Sequence, residues 1–195
     1  MVAFHGEVIT FAEVPVVTGK PSTLFLRKVE QAPVIDGNLS DPCWKNAPLA
    51  KDFIQRQPDE GQPVTEKTEV RVCRDEHTLF IGVRCFDSQP QKIAAKVMQR
   101  DASVKGDDYF FILLDPYQRG REGYYFRSNP NGAKGEGLIN SDISRPNMDW
   151  DVIWDVKSRI DDFGWTAEFA IPFRSIPFDA KAGSWGIDFG RWQAR

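Results

Sequence analysis

From Pro33 onward the apolar residues come in short runs, each closed by a turn signal, and no helical period is sustained. With the preceding TLFLRKV, the candidate strands are VIDG, EVRVCR, LFIGVRCF, AAKVMQ, YFFILLD, GYYFRSN, GLINSD, DVIWDVKSRI, WTAEFAIP and SWGIDFGRW. Between them stand DGN, PDEGQP, DPYQRGREG, NPNG, DDFG and DAKAGS, rich in residues that supply positive φ or cap turns. Only SDPCWKNA, opened by Ser40, and FRSI read as helical turns. About ten short strands punctuated every 8–12 residues predict an all-β fold, a jelly-roll-like β-sandwich of antiparallel strands. Residues 1–32 show no clear period and are expected to form a leading arm, with the sandwich over 33–195. A chain of 195 residues suits one such core.

Parity sharpens several of these strands. In WTAEFAIP, Trp165, Ala167, Phe169 and Ile171 share one face, so Glu168 falls on the other and is expected to be solvated or salt-bridged. YFFILLD is apolar on both parities, which predicts a central strand covered on both sides. EVRVC-RDEHT-LFIGVRCF reads as a hairpin with its turn at Glu76-His77, placing Cys73 opposite Phe80 and Cys85 opposite Thr68. Cys73 and Cys85 then lie on opposite faces, which argues against a disulfide between them. Three cysteines also fit no zinc spacing, so buried free thiols are the expectation.

Composition narrows function. Twenty-five basic against 28 acidic residues give a net charge of −3 with no basic block, which disfavours nucleic acid as a partner. No run reaches the roughly 20 apolar residues of a membrane helix, so no membrane contact is expected of this domain. The N-terminus lacks a signal peptide's basic and apolar regions. The chain ends inside the strand-like WGIDFGRWQAR, as a domain cut from a longer protein would. Enzyme motifs such as HExxH, GxSxG, the P-loop and CxxC are absent. A carboxylate pair for glycoside hydrolysis could be drawn from Glu136, Asp142 and Glu168, but 28 acidic residues generate such pairs by chance. No catalysis is expected.

The 14 Phe, 6 Trp and 4 Tyr imply either a β-rich core or a surface that stacks on flat ligands. Trp44, Trp154, Trp165 and Trp185 fall in strand or structural contexts, leaving Trp150 and the terminal Trp192 free to touch a ligand. Residues 127–155 are polar and rich in Asn, Asp, Gly and Ser, yet carry Trp150 and Trp154. Sugar binding needs that mixture of an aromatic face and planar polar groups. If Trp150 to Val156 were one strand, the two tryptophans would lie roughly 13 Å apart, too far to clasp one ring. Asp107, Asp115 and Asp142, with nearby Asn129 and Asn131, could offer oxygens to calcium, although no EF-hand spacing occurs.

Four segments in order, VIDGNLSDPCW, DDYFFILLDPYQRGREGYYFRSNPNG, GWTAEFAIPF and WGIDFGRW, resemble the family 9 carbohydrate-binding modules. The likeness is to the version found at the N-terminus of large bacterial proteins with a predicted outer-membrane β-barrel. It implies a β-sandwich that binds saccharides without cleaving them, with structural calcium, in a periplasmic or cell-surface protein linked to polysaccharide breakdown or uptake. Carried over residue by residue, Trp150 corresponds to one clasping tryptophan and Asn147 to its amide partner, while Arg127 and Asn129 fall on the strand of polar ligands. No second clasping tryptophan is matched, and Ser40 stands where an acidic residue is usual. The alternative is an interaction or plug module serving the missing C-terminal barrel without binding sugar. A related haem-holding sandwich would need methionine ligation, for which only Met98 and Met148 are internal.

Overall fold

The computed structural model describes residues 7–10 (backbone only), 23–120, 122–140, 145–179 and 181–195. It is a two-sheet β-sandwich. The strands are β1 (Glu7–Thr10), β2 (Thr23–Phe25), β3 (Leu49–Ala50), β4 (Thr68–Arg74), β5 (Thr78–Phe86), β6 (Tyr109–Asp115), β7 (Glu122–Ser128), β8 (Lys134–Asn140), β9 (Asp155–Asp161), β10 (Gly164–Pro172) and β11 (Ser184–Trp192). One sheet runs β2-β1-β11-β6-β7-β8 and the other β3-β4-β5-β10-β9. All pairings are antiparallel except β1 with β2. A one-turn helix, α1, spans Pro42–Lys45.

The core lies between the sheets. Trp165, Ala167, Phe169 and Ile171 are fully buried there, as their alternation predicts. Trp154 stacks on Phe169 at 5.9 Å, and Phe110 packs on Phe169 and Phe189 at 6.1 and 6.0 Å. The β4–β5 register pairs Cys73 with Phe80 and Cys85 with Thr68, and all three cysteines are free thiols.

Three expectations change. Within the leading segment, β1 joins β11, β2 joins β1, and Leu24 and Leu26 enter the core, so part of residues 1–32 belongs to the sandwich. VIDG forms no strand, and neither does AAKVMQ. The AAKVMQ backbone is held instead by side chains: the Lys96 and Val97 amides donate to Asp107, and the Ala95 and Val97 carbonyls accept from Asn131 and Asn129. Glu168 is neither solvated nor salt-bridged. The segment bearing Asp36, Gly37 and Trp44 covers the outer face of the smaller sheet, leaving Glu168 0% exposed. Its carboxylate accepts the Trp44 indole N–H at 2.8 Å and the Asp36 and Gly37 amides at 3.0 and 2.8 Å. Burial pushes its pKa up, against those three donors.

Candidate functional site: an aromatic row on the larger sheet

Parity in the larger sheet sends Phe110, Ile112 and Leu114 inward and Tyr109, Phe111 and Leu113 outward. YFFILLD is thus apolar on both faces for two reasons. One face packs against the other sheet, and the other builds an aromatic surface. Trp192, Tyr109, Phe111 and Tyr125 form a continuous row, with successive ring centroids 6.4, 6.2 and 5.7 Å apart. Trp192 and Tyr109 are close to parallel, at 18°. Trp192, Tyr109 and Phe111 are half-buried, so edges and faces remain open to solvent.

Glycines make that row flat. The register sets Phe111 opposite Gly190, Tyr125 opposite Gly137 and Arg127 opposite Gly135. A Cβ on Gly190 would sit 2.1 Å from the Phe111 ring, and one on Gly135 would sit 2.7 Å from Arg127 Nε. Both side chains therefore lie across their bare glycine partners instead of standing off the sheet. Arg127 also donates to the Ala102 carbonyl at 3.1 Å. Burial pushes the Tyr109 and Tyr125 hydroxyls up, while the Arg127 charge pulls both back.

The structure divides the residues expected to bind a saccharide. Arg127 belongs to the row. Asn147 comes to its rim, where its backbone exchanges two hydrogen bonds with Leu138 and Met148 covers Gly137. The Asn147 side chain accepts the Asp149 amide at 3.1 Å and is exposed. Trp150 lies on the opposite side of the sheet, half-buried, its ring 5.1 Å from Tyr124 and 6.2 Å from Phe126, which both point into the sandwich. β9 begins only at Asp155, so Trp150 and Trp154 do not share a strand and both rest on Phe126. Asn129 is 0% exposed, and its amide is occupied internally. It donates to Val97 O and Asp107 and accepts the Asn131 and Ala133 amides.

Asp107 and Asp115, two of the three carboxylates offered to calcium, do not come together. Asp107 and Asp115 flank opposite ends of β6, about 25 Å apart along an extended strand. Asp107 holds Lys96, Val97 and Asn129, and Asp115 accepts the Tyr117 and Gly120 amides as a turn cap. Asp142 lies outside the described residues. Among the described residues no group of three His, Cys, Asp or Glu side chains could hold a metal ion. The carboxylates offered for hydrolysis are also separated. Glu168 is buried on the outer face of the smaller sheet, and the buried Glu136 of β8 pairs with Arg100.

Sequence reasoning missed Tyr109, Phe111 and Tyr125 as members of an outward-facing aromatic row. Their signal was the glycines of like parity, Gly186 and Gly190 in WGIDFGRW and Gly135 and Gly137 in KGEGLIN, legible only once the register is known.

No protein-family model matches the chain, and neither does any curated protein. The fold does match solved structures. A family 9 carbohydrate-binding module from Caldicellulosiruptor kristjanssonii in complex with cellotriose superposes with a TM-score of 0.55 at 19% identity, over 84% of this chain and 74% of that one. The family 9 module from the same organism in complex with glucose gives 0.54 at 20% identity, over 83% and 74%. A proposed carbohydrate-binding protein from Bacteroides uniformis gives 0.64 at 13% identity, over 87% and 83%. The chain therefore has the β-sandwich fold of the family 9 modules.

Proposed function

We propose that this chain is a non-catalytic carbohydrate-binding domain of a larger exported bacterial protein, and that a saccharide lies along the outer face of its larger sheet. The observation that carries this reading is the pairing of Phe111 with Gly190 and Arg127 with Gly135, which leaves a flat aromatic row beside a flattened guanidinium. The C–H face of a pyranose stacks on such rings, and a planar donor array takes its hydroxyls. Trp192 and Tyr109 supply the open stacking surface, and Arg127, the Tyr109 hydroxyl and Asn147 at the rim supply polar contacts. Trp150 supports the face from below.

Neighbours of this fold hold glucose and cellotriose, so gluco-configured sugars are the first probes. Titration with glucose, cellotriose and a broader glycan panel should quench tryptophan fluorescence. Trp192→Ala should abolish the response, and Arg127→Ala should weaken binding about 10-fold or more, the loss of one charged hydrogen bond. A panel without any binder would overturn the reading and favour an interaction module of the parent protein.

A further inference from the structure

Cys43 and Cys73 share one apolar cluster although 30 positions separate them in sequence. Cys73 points outward from β4 and is fully buried beneath the covering segment, in a cluster with Trp44, Ala47 and Phe80. Cys43 sits on α1, half-exposed, and packs against that same cluster. The two thiols are near enough for each to perturb the ionisation of the other. Cys85 is kept away from both: it faces the main core on the inner side of β5, opposite Thr68. The alternation that separates Cys73 from Cys85 is what leaves Cys73 to Cys43.

We propose that Cys43 and Cys73 form a reversible disulfide that ties the covering segment to the smaller sheet. The oxidant is a disulfide, either of a thiol–disulfide oxidase or of oxidised glutathione. The half-exposed Cys43 loses its proton and its thiolate attacks one sulfur of that disulfide, releasing one thiol and forming a mixed disulfide. Cys73 then gives up its proton, and its thiolate attacks the Cys43 sulfur and expels the second thiol. Two protein thiols become one disulfide, and one external disulfide becomes two thiols. Cys43 leads because it is accessible, whereas Cys73 is sealed from solvent. Burial and the neighbouring Asp41 hold the Cys43 thiol above its ordinary pKa, so the reaction quickens as pH rises.

The bond has a structural consequence independent of sugar binding. Residues 36–44 contribute every donor that holds the Glu168 carboxylate, so closing the Cys43–Cys73 loop fastens that segment over its buried acid. An oxidising compartment would therefore stabilise the outer layer of the smaller sheet.

The test equilibrates the purified chain with oxidised glutathione at pH 8, traps free thiols with N-ethylmaleimide, and maps the cysteines by mass spectrometry. The oxidised protein should lose about 2 Da relative to the reduced form, carry a Cys43–Cys73 cross-linked peptide, and retain one titratable thiol in denaturant, Cys85, in place of three. Its melting temperature should rise by about 5–10 °C and fall back with dithiothreitol. Cys43→Ser should show neither the cross-link nor the shift. Three free thiols after equilibration, a bond mapped to Cys85, a stable glutathione adduct on Cys43 with Cys73 free, or a disulfide-linked dimer would each overturn the proposal.

Discussion

The Trp44 indole N–H donates to Glu168 at 2.8 Å, joining residues 124 positions apart through a carboxylate sealed from solvent. The DG…W segment is thus a lid whose polar underside is organised by one acid on β10. Glu168→Ala strands the Trp44, Asp36 and Gly37 donors, each worth about 1–3 kcal/mol when left unsatisfied. We expect urea unfolding to show a loss of about 3 kcal/mol or more, with Glu168→Gln less damaging because its carbonyl still accepts.

Phe111 and Gly190 give the second prediction. Gly190→Ala drives a methyl into a ring held among Tyr109 and Tyr125, and should cost about 1–3 kcal/mol by overpacking. Gly135→Ala meets only the mobile end of Arg127 and should cost less. Thermal denaturation of the two variants should rank them in that order.

Trp150 should behave as a packing residue. Trp150→Ala removes a ring set against Tyr124 and Phe126 and is expected to cost about 3 kcal/mol. If the folded variant lost saccharide binding while Trp192→Ala retained it, the ligand would lie on the opposite side of the sheet from the aromatic row.

Calcium should not matter to the described sandwich. Asp107 and Asp115 are each bound by backbone amides at opposite ends of β6, so neither is free to share an ion with the other. Melting curves in millimolar calcium and in EDTA should coincide. Asp107→Ala, by contrast, should destabilise the protein through the Lys96–Val97 loop and Asn129, whether or not calcium is present.

Arg84 and Asp161 set an acid-sensitive tie between β5 and β9, at 2.5 Å. Burial raises the Asp161 carboxyl, but the Arg84 hydrogen bond and the Phe163 amide outweigh it and hold the pKa below the ordinary value. Its stabilisation is present above the ordinary carboxylate range and is lost as pH falls through the lowered value. Both side chains are partly solvated, so Asp161→Asn should cost only about 1 kcal/mol at pH 7. Denaturant midpoints should show that difference vanishing in strong acid, where Asp161 is protonated in the wild type as well.

The amino-acid pattern alone determined the all-β sandwich, the β4–β5 register, and the burial of Trp44, Trp154, Trp165 and Trp185. The register and the burial of Trp165 and Trp185 follow from alternation and turn chemistry, which act between neighbours in the chain. The tertiary structure decided the rest. Glu168 and YFFILLD show why: parity says which side of a strand a residue takes, but not what lies over that side. A covering segment buries Glu168, while no second sheet covers Tyr109 and Phe111: Phe111 lies against Gly190 of another strand, and Tyr109 stacks on Trp192. Arg127 and Trp150, close in sequence and similar in promise, fall on opposite sides of one sheet. Cys43 reaches Cys73 only because residues 36–44 fold back over β4. Each of these facts depends on contacts between segments far apart in the chain, set by packing of the two layers and by the demand that buried polar groups find partners.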